Sequence, residues 1–200
     1  MNLGKQDIQN SPKYLDLIER STIKLDSFIL NLINYYKNAK LEVYPIDFDL
    51  VKLAEESFEN VLYFDGASDI KFNVITHTND RIFVTDKTKL GIVFNNLVTN
   101  CIRYRDKNKT EKSITIDLYI TPEHAKIVIS DNGIGIKKEN LEKIYTMFYK
   151  VSKHSQGSGI GMYIVKDAIE KLDGTIDIIS DENVGTQFIM NVPAMKIAKT

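Results

Sequence analysis

NNLVTNCIRY, residues 95–104, sets Asn95, Asn96, Asn100 and Arg103 among Leu97, Val98 and Ile102. Asparagine is a mediocre helix former that favours caps and turns, yet Asn96 and Asn100 recur one turn apart inside an apolar run. At about 100° per residue, Asn96, Asn100 and Arg103 fall within a stripe about 60° wide. Leu90, Val93, Phe94, Leu97, Cys101 and Ile102 occupy the other, apolar side. The stretch therefore reads as part of a helix over about 87–104, capped by Asp86, with a polar stripe beside its core face. Such a stripe lets side chains reach into a pocket from a rigid element. Asparagine carbonyl oxygens are neutral, hard donors suited to Mg2+, an ion usually shared with nucleotide phosphates. A solvated helix face is the alternative reading of these residues alone.

Around this helix, strands and helices alternate. VYPIDF (43–48) reads as a short extended piece kept at an edge by Pro45. Asp49 opens a helix to about Val61. IKFNVITHT (70–78) and RIFVT (81–85) are strand-like, with NDR turning between them. SITIDLYI (113–120) and AKIVISD (125–131) form a hairpin through TPEH. A short helix near Lys138–Tyr145 precedes the polar stretch KVSKHSQGSG (150–159). A further helix over Ile160–Leu172 stops at Asp173-Gly174, and TIDIIS (175–180) and GTQFIMNV (185–192) close the chain. Paired strands interspersed with helices predict an α/β (α+β) two-layer sandwich, one mixed sheet with helices on one face.

The beginning of the chain has a different texture. From Ser11 to Ala39 one helical pattern runs for about seven turns without a glycine, opened by Ser11-Pro12. Its apolar positions Ile18, Leu25, Ile29, Leu32 and Tyr36 step by three and four, with Thr22 filling the gap. That spacing suits a helix bundle more than an ordinary surface helix. The chain thus divides at 1–40 and 41–200. Its 200 residues carry a net charge of −1, which argues against a nucleic-acid surface, and a hydrophobic fraction of 43% suffices for a packed core. A single cysteine cannot form an internal disulfide and fits a reducing compartment. No signal peptide is evident, and no apolar run approaches the about 20 residues of a membrane helix. These features predict a cytoplasmic region with no membrane contact of its own.

Two further stretches carry chemistry. In SDNGIGI (130–136) a carboxylate at the mouth of a strand is followed by glycines that let backbone approach a flat ligand. Asp131 there can accept a hydrogen bond from an exocyclic amine. In GSGIGMYIVK (157–166), Gly157, Gly159 and Gly161 lead directly into a helix, whose free N–H groups and dipole favour an anion. The spacing matches neither the dinucleotide fingerprint nor a Walker sequence.

Taken in order, these stretches resemble the catalytic, ATP-binding domain of bacterial two-component sensor histidine kinases. That family belongs to the GHKL superfamily, shared with gyrase, the heat-shock chaperone and MutL. NNLVTNCIRY is similar to the family's asparagine box, DNGIGI to its first glycine box and IYTMFYK (144–150) to its phenylalanine box. GSGIGM resembles the second glycine box and GTQF (185–188) the last, Gly-Thr-rich signature. The helix at 11–39 resembles the second helix of the family's dimerisation bundle. The resemblance implies a Bergerat-type fold over about 41–193, ATP and Mg2+ as ligands, a homodimer through the N-terminal helix, and a response-regulator receiver domain as partner. Asn100 would hold the Mg2+, with Asn96 beside it; Arg103 would face phosphate and Tyr104 would cover the adenine. Asp131 would bind the adenine amine in a pocket shaped by Gly133 and Gly135. Lys150 would reach the phosphates, and residues 150–157 would form a lid anchored by Phe148. Gly157, Gly159 and Gly161 would hinge that lid and cradle phosphate, and Ile136, Met162 and Thr186 complete the nucleotide-binding set.

The chain departs from the family at a few positions. Cys101 stands where alanine is common and reads as inert packing. Met162 replaces the usual leucine and should fit the same space. The lid is short. Asn96 stands where ATP-hydrolysing relatives carry the glutamate that activates water, and an amide cannot accept that proton. Phosphoryl transfer by positioning needs no such base. None of the three histidines, His77, His124 and His154, lies in a phosphoacceptor context. The reading is therefore the catalytic region of a histidine kinase that acts on a histidine outside this sequence. The alternatives are an ATP-holding dimerisation scaffold and a GHKL-type ATPase.

Overall fold

The computed structural model describes residues 42–151 and 158–197, together with Tyr14, Leu15, Ile18, Glu19, Ser21, Thr22 and Ile29, which are helical. The rest of the helix expected over 11–39 lies outside the described residues, as does the division at residue 41. The elements follow in the order β1 (Ile46–Asp49), α1 (Leu50–Glu59), β2 (Ile70–Thr76), β3 (Ile82–Thr85), α2 (Lys87–Arg103), β4 (Lys112–Ile120) and β5 (His124–Asp131). After them come α3 (Gly161–Lys171), β6 (Thr175–Asp181) and β7 (Gly185–Pro193). The short helix expected at 138–145 forms as two 3-10 turns, Lys138–Asn140 and Lys143–Tyr145.

Five strands make one mixed sheet in the order β2-β4-β5-β7-β6, while β1 and β3 pair as a separate antiparallel ribbon. Strands β2 and β4 are parallel, from Ile70↔Lys112 to Thr76↔Leu118. Parallel neighbours need a crossover, and this one runs through β3 and α2. The turn at NDR therefore joins strands of two different sheets. Alternation marks β2 and β3 as strands, but it carries no information about which edge each one meets.

Side-chain alternation sets the two layers. Ile114, Ile116, Leu118 and Ile120 of β4, Ala125, Ile127 and Ile129 of β5, and Phe188, Met190 and Val192 of β7 are all buried. The register places them on one face, with Ile129 opposite both Ile116 and Phe188. Against that face α2 buries Leu90, Val93, Phe94, Leu97, Cys101 and Ile102, none more than 3% exposed. Each large aliphatic or aromatic side chain so buried contributes about 1.5–3 kcal/mol. The apolar side read from the sequence is thus the core side of α2, and the asparagine stripe is left at its border.

The helices begin differently. Asp49 caps α1 by accepting from the Lys52 amide at 3.0 Å. Asp86 caps α2, its Oδ1 accepting from the Lys89 amide at 2.9 Å and its Oδ2 from the Tyr44 amide at 2.9 Å. Such caps satisfy amides that have no partner inside the helix. Helix α3 starts at Ile160-Gly161 with no side-chain cap.

Candidate functional site

The uncapped end of α3 meets the polar stripe of α2. A Cβ added to Gly161 would lie 3.0 Å from Asn96 Oδ1, so glycine is what admits the first turn of α3 to this distance. Asn96 Nδ2 donates to the Ile92 carbonyl at 2.8 Å, and Asn100 Nδ2 donates to Met162 Sδ at 3.3 Å. Both amides thus turn a donor to the protein. Neither Oδ1 accepts a hydrogen bond among the described residues. Two asparagine side chains with free oxygens therefore meet the positive end of a helix dipole. Arg103 lies one turn further along the stripe. Its burial lowers its pKa, and no carboxylate beside it offsets that desolvation. A half-buried guanidinium with no carboxylate partner among the described residues suits an incoming anionic ligand.

The donor set also bears on a metal. Among the described residues no group of three or more His, Cys, Asp or Glu could hold one. A carboxamide oxygen at the mouth of an anion site fits Mg2+, which binds through few protein ligands and shares phosphate oxygens. Asn100 meets that requirement.

Asp131 ends β5 opposite Thr186 of β7. Its Oδ1 accepts from the Gly133 amide at 2.7 Å. Burial raises its pKa above the ordinary aspartate value, while hydrogen bonds from Gly133, the Cys101 thiol and the Thr186 backbone act in the opposite direction. Burial and the neighbouring carboxylate push the Cys101 thiol well above its usual range, so it remains protonated and donates. Buried and held protonated, the Cys101 thiol is unreactive, and it also favours the Asp131 carboxylate it faces.

The glycines after Asp131 serve close packing. A Cβ on Gly133 would lie 2.5 Å from the Tyr104 carbonyl oxygen and 2.8 Å from Asp131 Oδ1. The same Tyr104 carbonyl accepts from the Ile134 amide at 3.0 Å, which docks the loop on the end of α2. Gly135 has φ +67°, and a Cβ there would run into the Asp181 carbonyl of β6. The Ile136 amide donates to Ser180 Oγ at 2.8 Å, and that hydroxyl donates to the Gly185 carbonyl at 2.8 Å. Its one proton being used, Ser180 accepts from Thr186 Oγ1 at 3.0 Å. Asn132 extends the ladder with its side chain, accepting from the Ser113 amide and donating to the Glu111 carbonyl, each at 2.9 Å. Lys109 Nζ bonds the Asn132 carbonyl at 2.7 Å and the Val184 carbonyl at 3.0 Å, clamping the loop to the β6–β7 turn.

The remaining expected residues are placed less tightly. Phe148 has φ +68° and its amide donates to the Gly159 carbonyl at 2.9 Å. Phe148 is 53% exposed, and this backbone bond ties it to the glycine-rich segment before α3. Gly159, at φ +75°, admits the Tyr149 carbonyl to 2.7 Å of where a Cβ would stand. Lys150 is exposed, Tyr104 is 37% exposed at the end of α2, and Gly157 and residues 152–156 lie outside the described residues. His77 pairs with Asp117 at 2.7 Å and His124 bonds Thr121 in the hairpin, both away from the site; His154 is outside the described residues.

Ser180, Lys109 and the bond from Cys101 to Asp131 escaped the sequence reading. Nothing in RDKNKTEK (105–112) distinguishes Lys109 from its charged neighbours, and Ser180 looks like an ordinary strand-end polar residue.

Comparison with known proteins gives a consistent result. The family described as "Histidine kinase-, DNA gyrase B-, and HSP90-like ATPase" matches residues 85–196. The sensor protein RprX of Bacteroides fragilis is 38% identical over 125 residues, 60% of this chain and 23% of RprX. The histidine kinase P4 of Formosa agariphila is 32% identical over 195 residues, 90% of this chain and 14% of P4. The chain thus spans less than a quarter of the length of either relative. Among solved structures, the mycobacterial sensor histidine kinase MprB superposes with a TM-score of 0.62 at 25% identity, covering 74% of this chain and 97% of that one. Full-length ShkA in complex with AMPPNP shares the fold at TM-score 0.74 and 15% identity, over 94% of this chain and 40% of its own. Among the described residues no helix is long and apolar enough to cross a membrane.

Proposed function

Because the chain belongs to the histidine kinase-, DNA gyrase B- and HSP90-like ATPase family, we propose that it is the catalytic region of a sensor histidine kinase, binding ATP with Mg2+ and passing the γ-phosphoryl group to a histidine outside this sequence. The carrying observation is the convergence of Asn96, Asn100 and the uncapped start of α3, with Gly161 against Asn96 and Met162 against Asn100. In this reading Asp131 accepts from the adenine amine, and Gly133, Gly135, Ile136 and Thr186 hold the loop and strand around it. Tyr104 covers the base. Arg103, Lys150, Gly157, Gly159 and Gly161 serve the phosphates. Asn100 would hold a Mg2+, which supplies charge neutralisation across the phosphates.

Transfer rather than hydrolysis is favoured by one residue. Asn96 occupies the stripe where a water-activating carboxylate would stand, and its amide is tied to the Ile92 carbonyl. The described groups position a nucleotide but supply no base for water on this helix. The receiver domain of a response regulator, a homodimer formed through residues 1–40, the separate catalytic unit over 41–200 and a cytoplasmic location complete the proposal.

Incubation with γ-labelled ATP and Mg2+ tests it. Alone, the chain should stay unlabelled and release phosphate slowly. Given a longer homologous chain that carries an acceptor helix but has Asn100→Ala, it should deposit acid-labile, base-stable label on that partner. Absence of label on the partner, with ATP binding intact, would leave the ATP-holding scaffold as the better reading.

A further inference from the structure

The Asn100–Met162 contact assigns a role to a residue at which this chain departs from its family resemblance. We propose that Met162 is a positioning residue for Asn100: its thioether selects which end of the Asn100 carboxamide is offered to the metal–phosphate ligand. This inference rests on the nucleotide reading above and deepens it.

The argument is one of donors and acceptors. A carboxamide has two ends of nearly equal size, one that donates and one that accepts, and a 180° rotation about its last bond exchanges them. Only the accepting end can serve a cation. Methionine sulfur accepts weakly and never donates, so it is satisfied by Nδ2 and opposed to Oδ1. The observed contact is of the satisfied kind, with Asn100 Nδ2 3.3 Å from Met162 Sδ. A leucine at this position fills similar space but meets either end of the amide with the same methyl groups. Met162 also packs partly against the core, and it occupies the first turn of α3 beside Gly161, which fixes its distance from α2. The sulfur is thus held on a rigid element and aimed at the side chain proposed to hold the cation. Asn96 is oriented by a different device, donation to its own helix at Ile92. Among the described residues the Asn100 side chain makes no hydrogen bond to its own helix, and it takes its orientation from α3.

A double-mutant cycle reads this directly. ATP dissociation constants are measured by calorimetry, with Mg2+ and with EDTA, for the unmodified chain, Met162→Leu, Asn100→Ala and the double variant. Met162→Leu should weaken ATP binding in Mg2+ by about two- to fivefold more than it changes binding in EDTA, the amide flip and added rotamer freedom together. In the Asn100→Ala background the same substitution should have no magnesium-specific effect. The Asn100 side-chain NH2 resonances should also shift in Met162→Leu without any nucleotide, because they sense the sulfur. Equal weakening in Mg2+ and EDTA, an unchanged effect without Asn100, or no effect at all would overturn the inference. If the unmodified chain gains no affinity from Mg2+, the metal reading of the site fails with it; a magnesium-dependent chain indifferent to Met162→Leu refutes the positioning role alone.

Discussion

At the Asp131 end of the site the polar groups are tied to protein. The carboxylate accepts from Gly133, Cys101 and Thr186, Ser180 joins three segments, and Lys109 spans two carbonyls. At the Asn100 end the opposite holds. Among the described residues the oxygens of Asn96 and Asn100 accept nothing, α3 starts without a side-chain cap, and the half-buried Arg103 guanidinium has no carboxylate partner. The difference follows from what each end is proposed to meet. A flat base is recognised by shape and one or two hydrogen bonds, so its pocket is rigid before the ligand arrives. Phosphates bring negative charge and acceptors, for which the helix end and the guanidinium are left free, and the asparagine oxygens are left for the cation proposed to accompany them.

The largest effects should come from the two residues that define the ends. Asp131→Ala removes a charged acceptor worth about 1.5–3 kcal/mol, and ATP affinity should fall about ten- to a hundredfold or more, with discrimination against GTP lost. Asn100→Ala should instead abolish the gain in affinity from Mg2+ while adenosine binding survives. Calorimetry with ATP, GTP and adenosine, with and without Mg2+, separates the two. Were each variant to lose base and metal recognition alike, the division between the ends would be broken.

Glycines sharpen the contrast. Gly135→Ala places a side chain at φ +67° against the Asp181 backbone, and should lower stability by about 1–3 kcal/mol, visible as a drop in melting temperature. Gly161→Ala lies in a helix, where alanine is preferred by about 1 kcal/mol, but its methyl would stand 3.0 Å from Asn96 Oδ1. It should leave the melting temperature level or raised and still weaken nucleotide binding. One glycine protects the fold and the other protects the site.

The smallest effect concerns pH. Burial raises the Asp131 pKa, so the folded protein takes up a proton here before an exposed aspartate would. For a raised acid the associated stability is present below the unfolded value and is lost as pH rises through the folded one. On acidification from neutral pH toward 3.8, the ordinary aspartate value, ATP affinity should therefore decline early as the carboxylate is protonated. Asp131→Asn should flatten that decline and slightly stabilise the unliganded fold, because no buried charge remains. Calorimetric titrations and melting curves across this pH range check both. An unchanged pH profile in Asp131→Asn would place the titrating group elsewhere.

Much of the architecture was legible because it depends on local periodicity. The 3.6-residue repeat of α2, the strand alternation of β4, β5 and β7, and the aspartates before α1 and α2 are short-range signals, and the structure places these elements within a few residues of where the sequence indicated. The same periodicity separated the core face of α2 from the Asn96–Asn100–Arg103 stripe, because a helix fixes which residues share a side. Which strands pair was not legible. β3 leaves its sequence neighbour for β1, and α2 becomes the crossover between parallel strands, because the partner of a strand edge is chosen by chain segments far away. The contacts of Cys101 with Asp131, Met162 with Asn100, and Ser180 with Ile136 were equally hidden. Residues separated by tens of positions meet only once the sheet has set their distance. The sequence by itself determined the elements and the identity of the chemical groups; the tertiary structure decided which of those groups are satisfied by protein and which are left for a ligand, since hydrogen bonds are made in space and not along the chain.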